Sequence, residues 1–229
     1  MPIDHAIKER LTIVRARIGA AAYKAKRDAS SIRLVLASKT QPSEAIRAAR
    51  EAGARDFGEN YVQEAIAKRA ELADLTEIRW HLIGHLQTNK AKTAANAFAL
   101  IHSVDSIRLA EAIARAQPSP HVHALIEVNL GGELSKTGVA PDGVEAILDA
   151  ARGKIEIDGL MTIPPPGPSA EAARPYFARL REMRDVLAIQ SRLALSELSM
   201  GMTDDFDVAI EEGATIVRIG RAIFGERKK

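Results

Sequence analysis

The sequence predicts an α/β fold, a (β/α)8 barrel (TIM barrel) with one extra N-terminal helix, organised as a single domain over residues 1–229. Two observations carry that expectation. Short apolar runs alternate with helical patterns without a break, which implies a parallel sheet. Eight such units fit into 229 residues, toward the lower end for a barrel, whereas an open doubly wound sheet would more often hold about six strands.

Ile7, Leu11, Val14 and Ile18 recur at helical spacing among lysines and arginines, so residues 3–27 open the chain as an amphipathic helix. Strand-like runs follow at 32–38, 54–58, 79–84, 98–103, 122–129, 155–162, 193–199 and 215–219. Helical patterns fall between them at about 43–52, 61–73, 87–95, 105–116, 141–152, 169–190 and 204–212, with start signals at Pro42-Ser43-Glu44 and Pro141-Asp142. Pro164-Pro165-Pro166-Gly167-Pro168 lies between the sixth strand and another matching helix, so it reads as a stiff loop on the active face rather than a domain linker.

Composition narrows the function classes. Apolar residues make up 46% and charged residues 27%, ordinary for a soluble globular protein. Thirty-two basic against thirty acidic residues leave +2, which argues against nucleic acid or an acidic membrane as the main partner. The tail Arg227-Lys228-Lys229 reads as a solvated end. No cysteine is present, so disulfides, thiolate nucleophiles and thiolate metal sites are excluded. The first thirty residues carry no signal-peptide core, and no apolar run reaches the roughly 18 residues of a membrane span. A soluble, cytoplasmic protein, monomeric or loosely associated, is expected.

In such a barrel the chemistry lies where each strand ends. Strand one ends in Lys39, strand two in Phe57-Gly58-Glu59-Asn60, and strand three runs through Trp80-His81 to His85, Asn89 and Lys90. Strand four ends in His102-Ser103-Val104-Asp105, strand seven in Ser199-Met200-Gly201 and strand eight in Arg218-Ile219-Gly220. A partly desolvated lysine can condense with an aldehyde, although lysines at strand ends more often only snorkel to water. Ser199, Gly201, Gly220 and Arg221 suit an anion, because glycine lets backbone amides approach it and the following helix adds partial positive charge. Each glycine alone reads equally well as a turn residue.

A phosphorylated aldehyde accounts for Lys39 and the anion cup together, and pyridoxal 5'-phosphate carries both groups. Arg218 is then the candidate to face its ring nitrogen. Asp204, Asp205 and Asp207 read as complements of a helix dipole. The spacing of His81, His85 and His102 argues against a metal site; His81 stands evenly between a ligand neighbour and a core histidine, and His102 reads as structural. Lys136, in the glycine-bearing loop 131–138, is either a second amine near the site or a solvated loop residue.

Six ordered blocks carry a resemblance. They are Ala37-Ser38-Lys39-Thr40; Phe57-Gly58-Glu59-Asn60-Tyr61; the run from Trp80 to Lys90; Gly159-Leu160-Met161-Thr162-Ile163; Leu198-Ser199-Met200-Gly201-Met202; and the run from Arg218 to Gly225. Over nearly its whole length the chain resembles the YggS/PROSC family of pyridoxal phosphate homeostasis proteins, whose barrel is alanine racemase N-terminal-domain-like. The resemblance implies that Lys39 anchors the cofactor as an imine, Asn60 and His81 line it, Ser199, Gly201, Gly220 and Arg221 hold its phosphate, and Arg218 approaches the ring nitrogen. The family often has Ser after Met202, and here Thr203 keeps the hydroxyl. Related racemases draw a catalytic tyrosine from a second domain, which a chain ending at 229 is expected to lack, so a buffer or carrier of the cofactor, with apo-enzymes that need it as candidate partners, is expected rather than an enzyme. A weak amino-acid racemase or lyase, and a phosphosugar enzyme using Lys39 as its Schiff base, are the rival readings.

Overall fold

A computed structural model describes residues 3–116, 122–133 and 136–226. The basic tail and two residues beside Lys136, Leu134 and Ser135, lie outside them. The chain opens with α1 (Ile3–Lys24) and then alternates β1 (Arg33–Ala37), α2 (Ser43–Glu51), β2 (Asp56–Glu59), α3 (Val62–Glu71), β3 (Arg79–Leu82), α4 (Ala91–Ala97), β4 (Leu100–Val104) and α5 (Ile107–Ala116). The second half continues through β5 (His123–Glu127), α6 (Val144–Ala151), β6 (Glu156–Met161), α7 (Arg174–Ser191), β7 (Glu197–Ser199), α8 (Phe206–Glu211), β8 (Ile216–Ile219) and α9 (Arg221–Phe224). All eight strands pair in parallel and in chain order, and β8 closes on β1, so the (β/α)8 barrel expected from the sequence is the architecture found.

Strand alternation sorts side chains to two sides of the sheet. Leu36 of β1, Leu82 of β3 and Val217 of β8 point outward into the core shared with the helices. Val35, Leu100, Leu125, Met161 and Ile216 fill the barrel itself. Helix α1 packs on α2, α8 and α9, covering the seam where β8 meets β1. Its apolar stripe, Ile7, Leu11, Val14 and Ile18, is buried, and Arg15 donates to the Ala52 and Gly53 carbonyls at 3.1 and 2.8 Å. Gly159 lets β6 approach β7, since a Cβ there would lie 1.8 Å from the Glu197 carbonyl oxygen.

Several elements depart from the expected bounds, two of them for evident reasons. Strand seven, read over 193–199, is confined to Glu197–Ser199 because Arg192 and Leu195 take left-handed backbone angles, φ 58° and 39°, that no strand accepts. The helix read over 87–95 is a short 3-10 turn, Thr88–Lys90, running into α4.

Candidate functional site

The C-terminal ends of the strands surround a cavity of about 630 Å³. Lys39 enters it from the loop after β1 and Asn60 from the end of β2. Arg218 comes from inside β8, with Gly220 and Arg221 at the turn into α9 and Thr203 and Asp204 in the loop after β7. Another cavity, of about 410 Å³, opens at the other end of the barrel. There Arg33 pairs with Glu197 at 3.3 Å and Arg79 with Asp56 at 2.7 Å, so much of its charge is already matched.

Arg218 is 4% exposed, and its guanidinium is held from two sides. It donates to Ser199 Oγ at 2.6 Å and to the Thr162 carbonyl at 3.0 Å. Burial pushes it down to about 10, against the pull of Glu127 and Asp205, so it stays cationic at neutral pH. From Ser199 a line of contacts continues through the barrel: His102 Nδ1 at 2.8 Å, His102 Nε2 to His81 Nδ1 at 3.0 Å, and His81 Nε2 to Asp56 Oδ1 at 2.9 Å. Burial drives both imidazoles toward their neutral forms, His102 further because a proton on it would be repelled by Arg218 and by any second proton on His81. Burial also acts to raise Asp56, but hydrogen bonds from His81 and Arg79 outweigh it and hold the carboxyl below its ordinary value.

Donor and acceptor capacities then assign every proton in the line. An ionised Asp56 only accepts, so His81 carries its proton on Nε2 and accepts at Nδ1. His102 therefore donates from Nε2 and accepts the Ser199 hydroxyl proton at Nδ1. Ser199 Oγ in turn accepts from Arg218.

Around Lys39 the arrangement is charged instead. Lys68 of α3 donates from Nζ to the Ser38 carbonyl at 2.8 Å, to Glu59 Oε1 at 2.8 Å and to Glu64 Oε1 at 2.7 Å. The Ser38 hydroxyl donates to the same Glu59 oxygen at 2.6 Å, and the Thr40 amide donates to Glu64 Oε1 at 2.7 Å. Glu59 Oε2 is buried with no hydrogen-bond partner among the described residues. Burial raises the Glu59 carboxyl despite the opposing hydrogen bonds from Lys68 and Ser38.

Of the residues singled out in the sequence, Lys39, Asn60, Arg218, Gly220 and Arg221 meet at the cavity. Ser199 and His81 do not line it: both are buried beneath, 0% and 2% exposed, and the Ser199 hydroxyl proton is committed to His102. The threonine hydroxyl of Thr203 is the one at the rim. Gly201, with φ 91°, lies below the rim, where a Cβ would come 2.5 Å from that of Ala209, so it serves the turn and the packing of α8. Asp205 accepts the Met202 amide at 2.6 Å rather than capping α8, Asp207 pairs with Arg17, and Asp204 with Arg221. His85 Nδ1 lies 3.2 Å from Asp105. Lys136 pairs with Glu133 at 2.5 Å. His102, read as structural, is the middle of the buried line. Lys68 and Glu64 escaped notice because an i,i+4 Glu–Lys pair on a helix reads as a solvated surface pair.

Among the described residues no helix is long and apolar enough to cross a membrane. The sequence pattern of the family described as alanine racemase, N-terminal domain, matches residues 6–228. A pyridoxal phosphate homeostasis protein of Pseudomonas aeruginosa is 45% identical over 225 residues, covering 96% of each chain. Its counterpart in Aquifex aeolicus is 46% identical over 224 residues, covering 96% of this chain and 98% of that one. PipY of Synechococcus elongatus, whose structure was solved with pyridoxal phosphate bound, is 41% identical and superposes with a TM-score of 0.85 over 96% of this chain and 100% of that one. With a barrel of this topology and a lysine and an arginine meeting at its C-terminal mouth, the chain belongs to the pyridoxal phosphate homeostasis proteins, within the alanine racemase N-terminal domain family.

Proposed function

We propose that this protein binds pyridoxal 5'-phosphate at the C-terminal mouth of its barrel, with Lys39 as the covalent anchor, and holds it reversibly for apo-enzymes that need it. The observation that carries this reading is the convergence of Lys39 and the cationic Arg218 on one cavity of about 630 Å³. The donor set fits the group. An amine is matched to an aldehyde, a guanidinium to a ring nitrogen, and Thr203, Gly220 and Arg221 to a phosphate. PipY, 41% identical, binds the same cofactor.

When bound, the cofactor supplies an electron-accepting ring, whose strength depends on protonation of its nitrogen. Arg218 is tied to Ser199 and the Thr162 carbonyl and presents only donors, so it opposes a proton on the ring nitrogen. That favours holding over carbanion chemistry. Asn60 and Ile83 line the cavity together with Lys39. In this reading the protein works in the cytoplasm as a single chain of one domain.

The test is the absorbance spectrum of the purified protein before and after borohydride, with the modified peptide located by mass spectrometry. A visible band whose reduction fixes the cofactor on Lys39, and whose trapped adduct disappears in a folded Lys39→Ala variant, is the expected result. No band after adding pyridoxal phosphate, or an unchanged adduct in Lys39→Ala, overturns it. Alanine racemisation lost in Lys39→Ala would replace holding with catalysis.

A further inference from the structure

The residues on either side of Lys39 are both tied to one buried ammonium. Lys68 is 9% exposed at its side chain, and its three N–H donors are all used, on the Ser38 carbonyl, Glu59 and Glu64. Glu64 Oε1, which Lys68 holds, also accepts the Thr40 amide. Ser38 is therefore gripped directly, and Thr40 through one intervening carboxylate. Thr40 sits at φ 63°, a left-handed conformation that a β-branched residue keeps only where its surroundings over-determine it. The bond from Glu64 to its amide is such a determinant.

Stability alone does not explain the arrangement. A buried ion pair is often no more stabilising than apolar residues of the same volume, and here Glu59 Oε2 has no hydrogen-bond partner among the described residues. What three charges on α3 and β2 achieve, and an apolar trio would not, is a fixed direction for the backbone between Ser38 and Thr40.

We propose that Lys68, with Glu59 and Glu64, is the positioning element of the anchor: it clamps residues 38 and 40 so that the Lys39 side chain leaves the backbone in one direction, toward the cavity. The proposal rests on the reading of Lys39 as the cofactor's anchor. None of the three residues touches the cofactor; each acts through the Ser38–Thr40 backbone.

The experiment uses full-length protein stripped of cofactor with hydroxylamine, to which pyridoxal phosphate is added. The growth rate of the visible band and the melting temperature are measured side by side. Glu64→Ala keeps a good helix former on α3 but removes the acceptor of the Thr40 amide; it is expected to slow band formation about ten-fold, with melting within a few degrees of wild type. Glu64→Gln, which keeps an oxygen in that place, is expected to restore the rate. The pair Lys68→Met with Glu59→Gln removes the Ser38 arm of the clamp without leaving a buried charge at position 59 and is expected to slow it similarly. Wild-type rates in both Glu64→Ala and the paired variant overturn the clamp, as does a slow Glu64→Gln indistinguishable from Glu64→Ala. No band in wild-type protein overturns the anchor reading and the clamp with it.

Discussion

Beneath Arg218 the polar atoms run in single file, Arg218 to Ser199 to His102 to His81 to Asp56, each group donating to the next, and the middle of the file is electrically neutral. Beneath Lys39 they converge instead on one ammonium between two carboxylates. Both networks are largely buried, and each supports a residue of the same cavity, Arg218 in the first and Lys39 beside the second. A file of neutral groups is cheap to bury when each donor meets one acceptor, but it transmits orientation only along its length. A charged hub costs more to bury and leaves an oxygen of Glu59 without a partner among the described residues, yet it fixes several backbone groups at once. The barrel uses the file to aim a side chain, and the hub to hold a loop.

Cutting each network in one place separates them most sharply. Lys68→Met alone leaves Glu59 buried beside no cation, and the expected loss is about 3–5 kcal/mol, seen as a melting temperature lower by about 10 °C. His102→Leu interrupts the file, leaving the Ser199 hydroxyl proton without its acceptor and His81 Nδ1 without its donor; about 2 kcal/mol is expected from urea unfolding. The same variant is expected to shift the band of the bound cofactor, because Arg218 loses the far support of Ser199. Equal losses in the two variants would mean that charge does not distinguish the networks.

Acid distinguishes them by sign. His81 and His102 have folded values depressed below the ordinary imidazole value of 6.5. As pH falls through 6.5 the unfolded chain takes up protons that the folded chain refuses, so these two groups lower stability below that point and leave it intact above. Glu59 is raised above its ordinary value of 4.5, so between the two values the folded chain holds a proton the unfolded one lacks, and acidification there favours folding. Urea midpoints are therefore expected to fall from pH 7.5 to 5.5, and to fall less in a His81→Asn, His102→Asn double variant. A midpoint flat across that range would remove the imidazoles from the balance. The smallest effect belongs to a pair outside both networks: Arg47→Ala breaks the exposed contact with Asp74 and is expected to leave the urea midpoint unchanged.

Reading along the chain placed Lys39, Asn60, Arg218, Gly220 and Arg221 at one end of the barrel because that end is defined by the direction of parallel strands. The same reading put Ser199 and His81 there too, and the structure sets both below the rim. One strand residue advances the chain about 3.3 Å, so an inward-facing residue can sit at the mouth or a layer deeper. Val35 stands level with both Asp56 and Arg218, and Ser199 with Ile216. That stagger follows from how the sheet closes, which no single strand specifies.

What the sequence by itself determined is the alternation of strands and helices and which residues follow each strand end, since both depend on local spacing. What only the tertiary structure decided is depth and partnership: that Glu64 and Lys68 turn from an apparent surface pair into the support of a loop thirty residues earlier in the chain, and that two histidines, a serine and an aspartate line up behind Arg218. Those contacts join segments far apart in the chain, and the file in particular, from β2, β3 and β4 across to β7 and β8, needs the strands gathered into the barrel.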